Sequence, residues 1–295
     1  MKTVGVAVAL LVLLQAGTGD ARRAALVGAD PAWSPDGSLI AFRTNLGDNT
    51  RFGDIYVMKP DDSGLRQVTN DPLGKGQPTW SPDSKQIAYD AFAYIDAIDV
   101  DGTNHRRLVA NGSEARGACC PAWSRNGRKI AYVFSNADQG GRLWVMNADG
   151  SGKRRIAVPR AGTGYSFPTW SPDSKRIAFT FEVDPKPPNY GSSTGFIGMI
   201  RADGRGRISR IKAGRAPWAP DWSRTGRKIV YADDLGRRYR IEVLDLKTRK
   251  IRRLGPGSNP SWSPDGRRIV FMCGPRGVGG GICVMNADGS HLRQL

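Results

Sequence analysis

Trp33-Ser34-Pro35-Asp36-Gly37, a large aromatic followed by a tight-turn sequence, returns five more times along this chain. The copies are Trp80-Ser81-Pro82-Asp83-Ser84, Trp123-Ser124-Arg125-Asn126-Gly127, Trp170-Ser171-Pro172-Asp173-Ser174, Trp222-Ser223-Arg224-Thr225-Gly226 and Trp262-Ser263-Pro264-Asp265-Gly266. Their Trp-to-Trp spacings are 47, 43, 47, 52 and 40 residues. A repeat of that length marks a propeller or a solenoid. Pro presets φ at the first turn position, Asp bonds its own backbone, and Gly takes the left-handed position freely. Ser84 and Ser174 stand at that Gly position, so those two turns are expected to be strained or differently shaped.

Each copy continues in the same way. An apolar triplet such as Ile87-Ala88-Tyr89 follows the turn, and after a variable gap comes a second run such as Leu143-Trp144-Val145-Met146. A second turn, Asn147-Ala148-Asp149-Gly150, leads into a basic-apolar strand, Arg154-Arg155-Ile156. Four short strands and two tight turns per repeat are the content of one propeller blade. No stretch shows sustained helical periodicity, and Gly 37 and Pro 19 suit short strands and turns. The expected fold is all-β: a six-bladed β-propeller with four antiparallel strands per blade, spanning residues 22–295. The repeated Trp is expected to wedge between neighbouring blades.

Pro-x-Trp-Ser-Pro-Asp-Gly, then Ile-Ala-Phe, then Ile-Tyr-Val-Met, then an Asp-Gly turn resembles the TolB-type, WD-like propeller repeat. The resemblance covers residues 27 to 295. TolB carries a separate α/β domain before its propeller, whereas residues 22–32 are all that separate the expected leader from Trp33. The resemblance therefore implies the ring and its mode of binding.

The leader is residues 1–21. Lys2 precedes an unbroken apolar run from Val4 to Leu14, and Gly19 and Ala21 fit a cut before Arg22. A basic start, a short apolar run and small residues at the cut describe a secretory signal peptide. The run is too short to span the hydrocarbon of a bilayer, and no later segment does so. Export places the chain in the periplasm, the cell envelope or outside the cell. Lys+Arg 44 against Asp+Glu 27 gives a net charge of +17. Export argues against a nucleic-acid partner, and so does the placement of the charge. Basic pairs recur at one repeat position: Arg106-Arg107, Arg154-Arg155 and Arg252-Arg253. On an outer strand they would guard an edge against foreign pairing. Alternatively they would attract an anionic envelope polymer or acidic protein.

Strand direction alternates around a blade, so the two turns of every repeat share one face. The variable gaps and the connectors between blades share the other. Blade four carries the longest gap, running through Asp184–Gly191. Variable loops on a rigid scaffold are where recognition sits. The connectors end beside the channel just before each Pro-x-Trp, at Asp30, Gln77, Cys120, Phe167, Ala219 and Asn259, with Tyr165 and Trp218 close by. Aromatics with polar neighbours suit a peptide or glycan. The expected ligand-binding set is Asp30, Gln77, Tyr165, Phe167, Trp218 and Asn259.

Neither a Gly-x-Ser-x-Gly elbow nor a phosphate-cradling Gly-rich loop nor His-Glu-x-x-His occurs. His105 and His291 both follow an Asp-Gly turn at the outer-strand position. Asp99–Asn104 looks like the start of a calcium loop, but its twelfth position is Ala110, where a bidentate Glu is needed. It is expected to be a hairpin turn. No cofactor and no metal is expected.

Four Cys in an exported protein permit disulfides. In a six-bladed ring blades three and six are opposite, which keeps Cys119 and Cys120 from Cys273 and Cys283. Cys273 with Cys283 staples a hairpin of blade six. Cys119 and Cys120 are then either free thiols or a vicinal disulfide. The sum is a non-enzymatic, monomeric, exported scaffold that binds a protein or peptide of the envelope, with an anionic partner suited to its charge. The alternative is a carbohydrate-binding propeller or a polysaccharide lyase.

Overall fold

A computed structural model describes residues 28–44, 53–70, 73–110, 117–136, 139–183, 194–236, 238–274 and 280–295. The expected leader and the blade-four gap at 184–191 lie outside them. The described residues form six four-stranded sheets and no helix. Every sheet is a run of consecutive antiparallel strands. The blades span residues 28–67, 75–109, 118–157, 163–211, 217–256 and 258–294. The first strand of each blade touches the first strands of both neighbours, so these six strands form the innermost ring.

The core is divided in the way a ring of sheets demands. One sheet cannot cover its own two apolar faces, so neighbours bury them against each other. Six apolar clusters result among the described residues, one at each blade boundary. The triplet residues Ile40, Ile87, Ile130, Ile177, Ile229 and Ile269 have no exposure at all. All six repeat Trp are buried. Trp80 Nε1 donates to Ala32 O at 3.0 Å and Trp170 Nε1 to Ala122 O at 2.9 Å, so each indole reaches into the preceding blade.

The Ser of Trp-Ser explains why the turn sequence recurs. Ser81 is buried, donates to Asp83 Oδ1 at 2.6 Å and accepts the Gln86 N–H at 2.9 Å. Ser34, Ser171 and Ser263 do the same with Asp36, Asp173 and Asp265. One hydroxyl thus satisfies both the turn and the start of the next strand. The Ser81 hydroxyl is also the main reason the Asp83 carboxyl is held below its ordinary range.

Ser84 and Ser174 adopt the same turn as the glycines they replace, rather than another shape. Their φ values are 60° and 56° against 77° for Gly37, and Ser84 N bonds Ser81 O at 2.9 Å as Gly37 N bonds Ser34 O. Asp99–Asn104 is a hairpin turn, closed by Gly102 N to Asp99 O at 2.8 Å. Gly150 of the second turn in blade three has φ 88°, and a Cβ there would stand 3.1 Å from Leu108 O of blade two. That turn needs glycine because blades meet so closely.

The ring closes without strand exchange. Blade six meets blade one through a shared cluster of Trp33, Phe42, Ile282, Val284 and Leu295. Arg293 Nη2 donates to Pro60 O at 2.6 Å across the same seam. Equivalent clamps link other blades: Arg66 to Val100 O at 2.7 Å, Arg106 to Ala148 O at 3.4 Å and Arg154 to Asp203 O at 3.0 Å. The first Arg of the basic pairs at 106 and 154 therefore grips a carbonyl in the next blade's second turn. Edge protection and attraction of anions, the two roles expected of these pairs, do not include this grip.

Candidate functional site

Asp30, Gln77, Cys120, Phe167, Ala219 and Asn259 occupy one structural position, repeated around the axis. All six have left-handed backbones, with φ between 46° and 58°. Non-glycine residues rarely adopt that conformation. Its cause is a bulge: in every first strand the pairing register shifts across this residue and the Pro that follows it. Pro lacks the N–H that a regular ladder would use, and a bulge re-aims side chains. The six residues line a cavity of about 560 Å³ that continues along the axis to Pro35, Pro82, Arg125, Pro172, Arg224 and Pro264 on the turn face.

The mouth is divided by chemistry. On blades four and five the rings of Phe167 and Trp218 meet at 4.5 Å between centroids, inclined by 55°. On blades six, one and two the wall is polar. Asn259 Nδ2 donates to Asp30 Oδ1, closing the seam of the ring. Arg43 Nε lies 3.4 Å from Asp30 Oδ2. Burial and the charge of Asp30 push the Asp90 carboxyl up to about 7, against the pull of the Cys120 N–H and of Arg43. Asp90 Oδ1 and Gln77 Oε1 are buried with no hydrogen-bond partner among the described residues. A buried acceptor left unpaired costs roughly 1–3 kcal/mol, so both oxygens favour an incoming donor.

The residues singled out from sequence separate in three ways. Asp30, Gln77, Phe167 and Asn259 line the cavity. Trp218 is half-buried and reaches the mouth through its stack on Phe167. Tyr165 lies elsewhere. It is 4% exposed, packs on Phe179 and Phe181 within the boundary of blades three and four, and donates to Val158 O at 3.3 Å. Sequence reasoning missed Arg43 and Asp90. They follow the apolar triplet, a position that holds Val133, Thr180, Ala232 and Met272 in the other blades. Aligning that position would have exposed two charged residues in adjacent repeats.

Other buried charges serve the scaffold. Asp221 accepts from Trp262 N at 2.8 Å and Thr169 Oγ1 at 3.3 Å, tying blades four, five and six together. Glu242 accepts from Tyr231 Oη at 2.7 Å and Arg240 Nε at 2.8 Å. His105 Nε2 sits 3.1 Å from Asp96 Oδ2 beside the outer strand of blade two, and His291 bonds Asn286 and Ser290 beside that of blade six. Cys273 and Cys283 form a disulfide with Cα atoms 5.7 Å apart, while Cys119 and Cys120 are free thiols.

No family model matches the chain. Among curated proteins, the TolB homologue of Chlorobium chlorochromatii (strain CaD3) is 31% identical over 150 residues, covering 48% of this chain and 31% of that protein. The uncharacterized peptidase YuxL of Bacillus subtilis (strain 168) is 39% identical over 159 residues, covering 51% of this chain and 21% of that protein. The chain spans about half or less of the length of the curated relatives it matches. Among solved structures, TolB from Acinetobacter baumannii superposes with a TM-score of 0.65 at 20% identity, over 90% of this chain and 62% of that one. With the six-fold Trp-Ser repeat and a ring of six consecutive blades, this likeness gives the chain the six-bladed β-propeller fold that the ring of TolB has.

Proposed function

We propose that this propeller is a non-enzymatic, exported scaffold that captures a protein or peptide of the cell envelope at its channel mouth. The observation that carries the reading is the divided mouth. Phe167, with Trp218 stacked on it, stands across the axis from acceptors on Asp30 and Gln77, and Asp90 lies behind them beside Asp30. Flat rings hold apolar side chains, and acceptors hold backbone N–H groups, an amino terminus or a basic side chain. Six bulges hold these groups in place, so little ordering opposes binding. The partner's docking segment is donor-rich at this point, even though the chain as a whole is basic and invites anionic partners elsewhere.

The test is site-specific photocrosslinking in envelope extract. A crosslinker at Gln77 or Asn259 should yield a discrete protein adduct, and one at exposed Arg253 should not. Equal labelling from both places, or retention of a glycan polymer with no protein adduct, overturns the reading. Release of shortened product from a polyanionic glycan would assign the chain to the lyases instead.

A further inference from the structure

The inner strand of blade three places two cysteines side by side, and they hold their sulfurs together. Neighbours in a regular strand point to opposite faces of the sheet. Here Cys120 takes the left-handed bulge position, with φ 58°, which turns its side chain toward that of Cys119. The two Sγ atoms stand 2.7 Å apart, against roughly 2.05 Å for a disulfide bond. Both are free thiols. The bulge that builds the mouth has thus also assembled a dithiol.

The two sulfurs are not equivalent. Cys120 is buried in the channel wall, and its N–H serves Asp90 while the Phe167 N–H points at its sulfur. Cys119 is half-buried, open enough for a small reagent. Burial pushes the Cys120 thiol well up, and the more open Cys119 is the sulfur that an incoming reagent meets first. On the far side of the ring Cys273 and Cys283 are already bridged, so this chain belongs where disulfides persist.

We propose that Cys119 and Cys120 are a redox-active dithiol that reacts with low-molecular-weight disulfides and closes to an intrachain bridge in the channel wall. The Cys119 thiolate attacks one sulfur of the incoming disulfide and expels one thiol, leaving a mixed disulfide. Cys120 gives up its proton, attacks Cys119 Sγ and expels the second thiol. The protein dithiol loses two electrons and two protons, and the reagent disulfide becomes two thiols. Closure outruns release of the adduct because the second sulfur is held in contact with the first. The bridge is reversible: adjacent Cα atoms are about 3.8 Å apart, short of the usual span of a disulfide. Bridges with unfavourable geometry are the ones that exchange readily. This inference does not depend on ligand capture at the mouth.

The experiment equilibrates the folded protein with oxidised glutathione, then alkylates remaining thiols and measures the mass of peptide 117–125. Both alkylation sites should disappear together, no glutathione should remain attached, and reduced glutathione should restore both. C120S should instead accumulate glutathione on Cys119, and C119S should show neither bridge nor adduct. Phenylarsine oxide, which needs two adjacent thiols, should protect both sites in the parent chain only. Thermal melts of the two variants confirm that each is folded under the assay. Two sites that remain alkylatable, glutathione retained on the parent chain, or bridging that occurs only above the melting temperature overturns the proposal.

Discussion

Phe167 opens a bulge on blade four and Trp218 precedes one on blade five, and their rings meet at 4.5 Å across the blade boundary. Phe167 lines the channel, and Trp218 stacks on it beside the mouth. Trp218 is half-buried, whereas Trp80 is 5% exposed and bonded to Ala32 O. The two tryptophans therefore answer different questions. Trp80→Ala should cost about 3–5 kcal/mol of stability as a large-to-small core change. Trp218→Ala should cost clearly less, and should weaken partner capture by about 2 kcal/mol, the loss typical of a central aromatic anchor. Paired thermal melts and capture assays decide it. Equal destabilisation by both would make Trp218 a core plug.

Asp90 sets the pH response of the mouth. Its carboxyl is pushed up to about 7 by burial first and by Asp30 second. Below that pH it is neutral, and above it the polar arc carries one more negative charge beside Asp30 and Arg43. Capture of a basic peptide should therefore rise several-fold from pH 6 to pH 8, and Asp90→Asn should abolish the rise. Stability should move the other way. An acid whose pKa is raised by folding holds its proton more tightly in the native state, so stability is lost as pH climbs from about 4 to 7. Burial raises Asp221 and Asp233 too, so the comparison of parent and Asp90→Asn isolates this residue. The gap between their stabilities should widen toward pH 8 by an amount on the order of a few kcal/mol at most. Melting curves that stay parallel across the range would show that Asp90 ionises normally.

Blade number, strand order and the ring position before each Pro-x-Trp were all legible, because six copies of Trp-Ser and its turn impose one geometry six times. What escaped depends on contacts between repeats. Tyr165 lies two residues before Phe167, yet it pairs with Phe181 ahead of the bulge and packs into the blade boundary. Nothing in its own repeat signals that change of direction. Arg43 and Asp90 are near only because blades one and two converge at the axis, and their positions looked like the end of an apolar strand. The arginines of the outer strands showed as a pattern of charge, but the carbonyls they grip belong to the next repeat and are invisible in any one copy.

Those clamps are separable from long-range attraction. Arg154 Nη1 and Nη2 donate to Asp203 O and Ala202 O at 3.0 and 3.4 Å. Arg154→Ala should lower stability by about 1 kcal/mol, the usual net contribution of such bonds. Arg155→Ala, exposed next door, should leave the melt nearly unchanged. Both remove one positive charge, so an electrostatic role would affect binding to a polyanion equally. A melt in which the two variants are indistinguishable would return the basic pair to edge protection or attraction.

Ser84 poses the last test, because it accepts a backbone cost in exchange for a contact. Its φ of 60° is one that glycine adopts freely, and the left-handed conformation costs a side-chain-bearing residue roughly 1–2 kcal/mol. Its hydroxyl accepts the Asp36 N–H of blade one at 3.1 Å, as Ser174 accepts the Asn126 N–H of blade three. Ser84→Gly removes the backbone cost and the bond together, so its stability should fall within roughly 0.5 kcal/mol of the parent. Ser84→Ala keeps the cost and loses the bond, and should be destabilised by about 1 kcal/mol. Thermal melts of the two variants, side by side, read the difference. If alanine is as stable as serine, the hydroxyl does not join the blades. If glycine is as damaging as alanine, the left-handed turn carries no cost, and the recurrence of Gly at this position in the other repeats needs another cause.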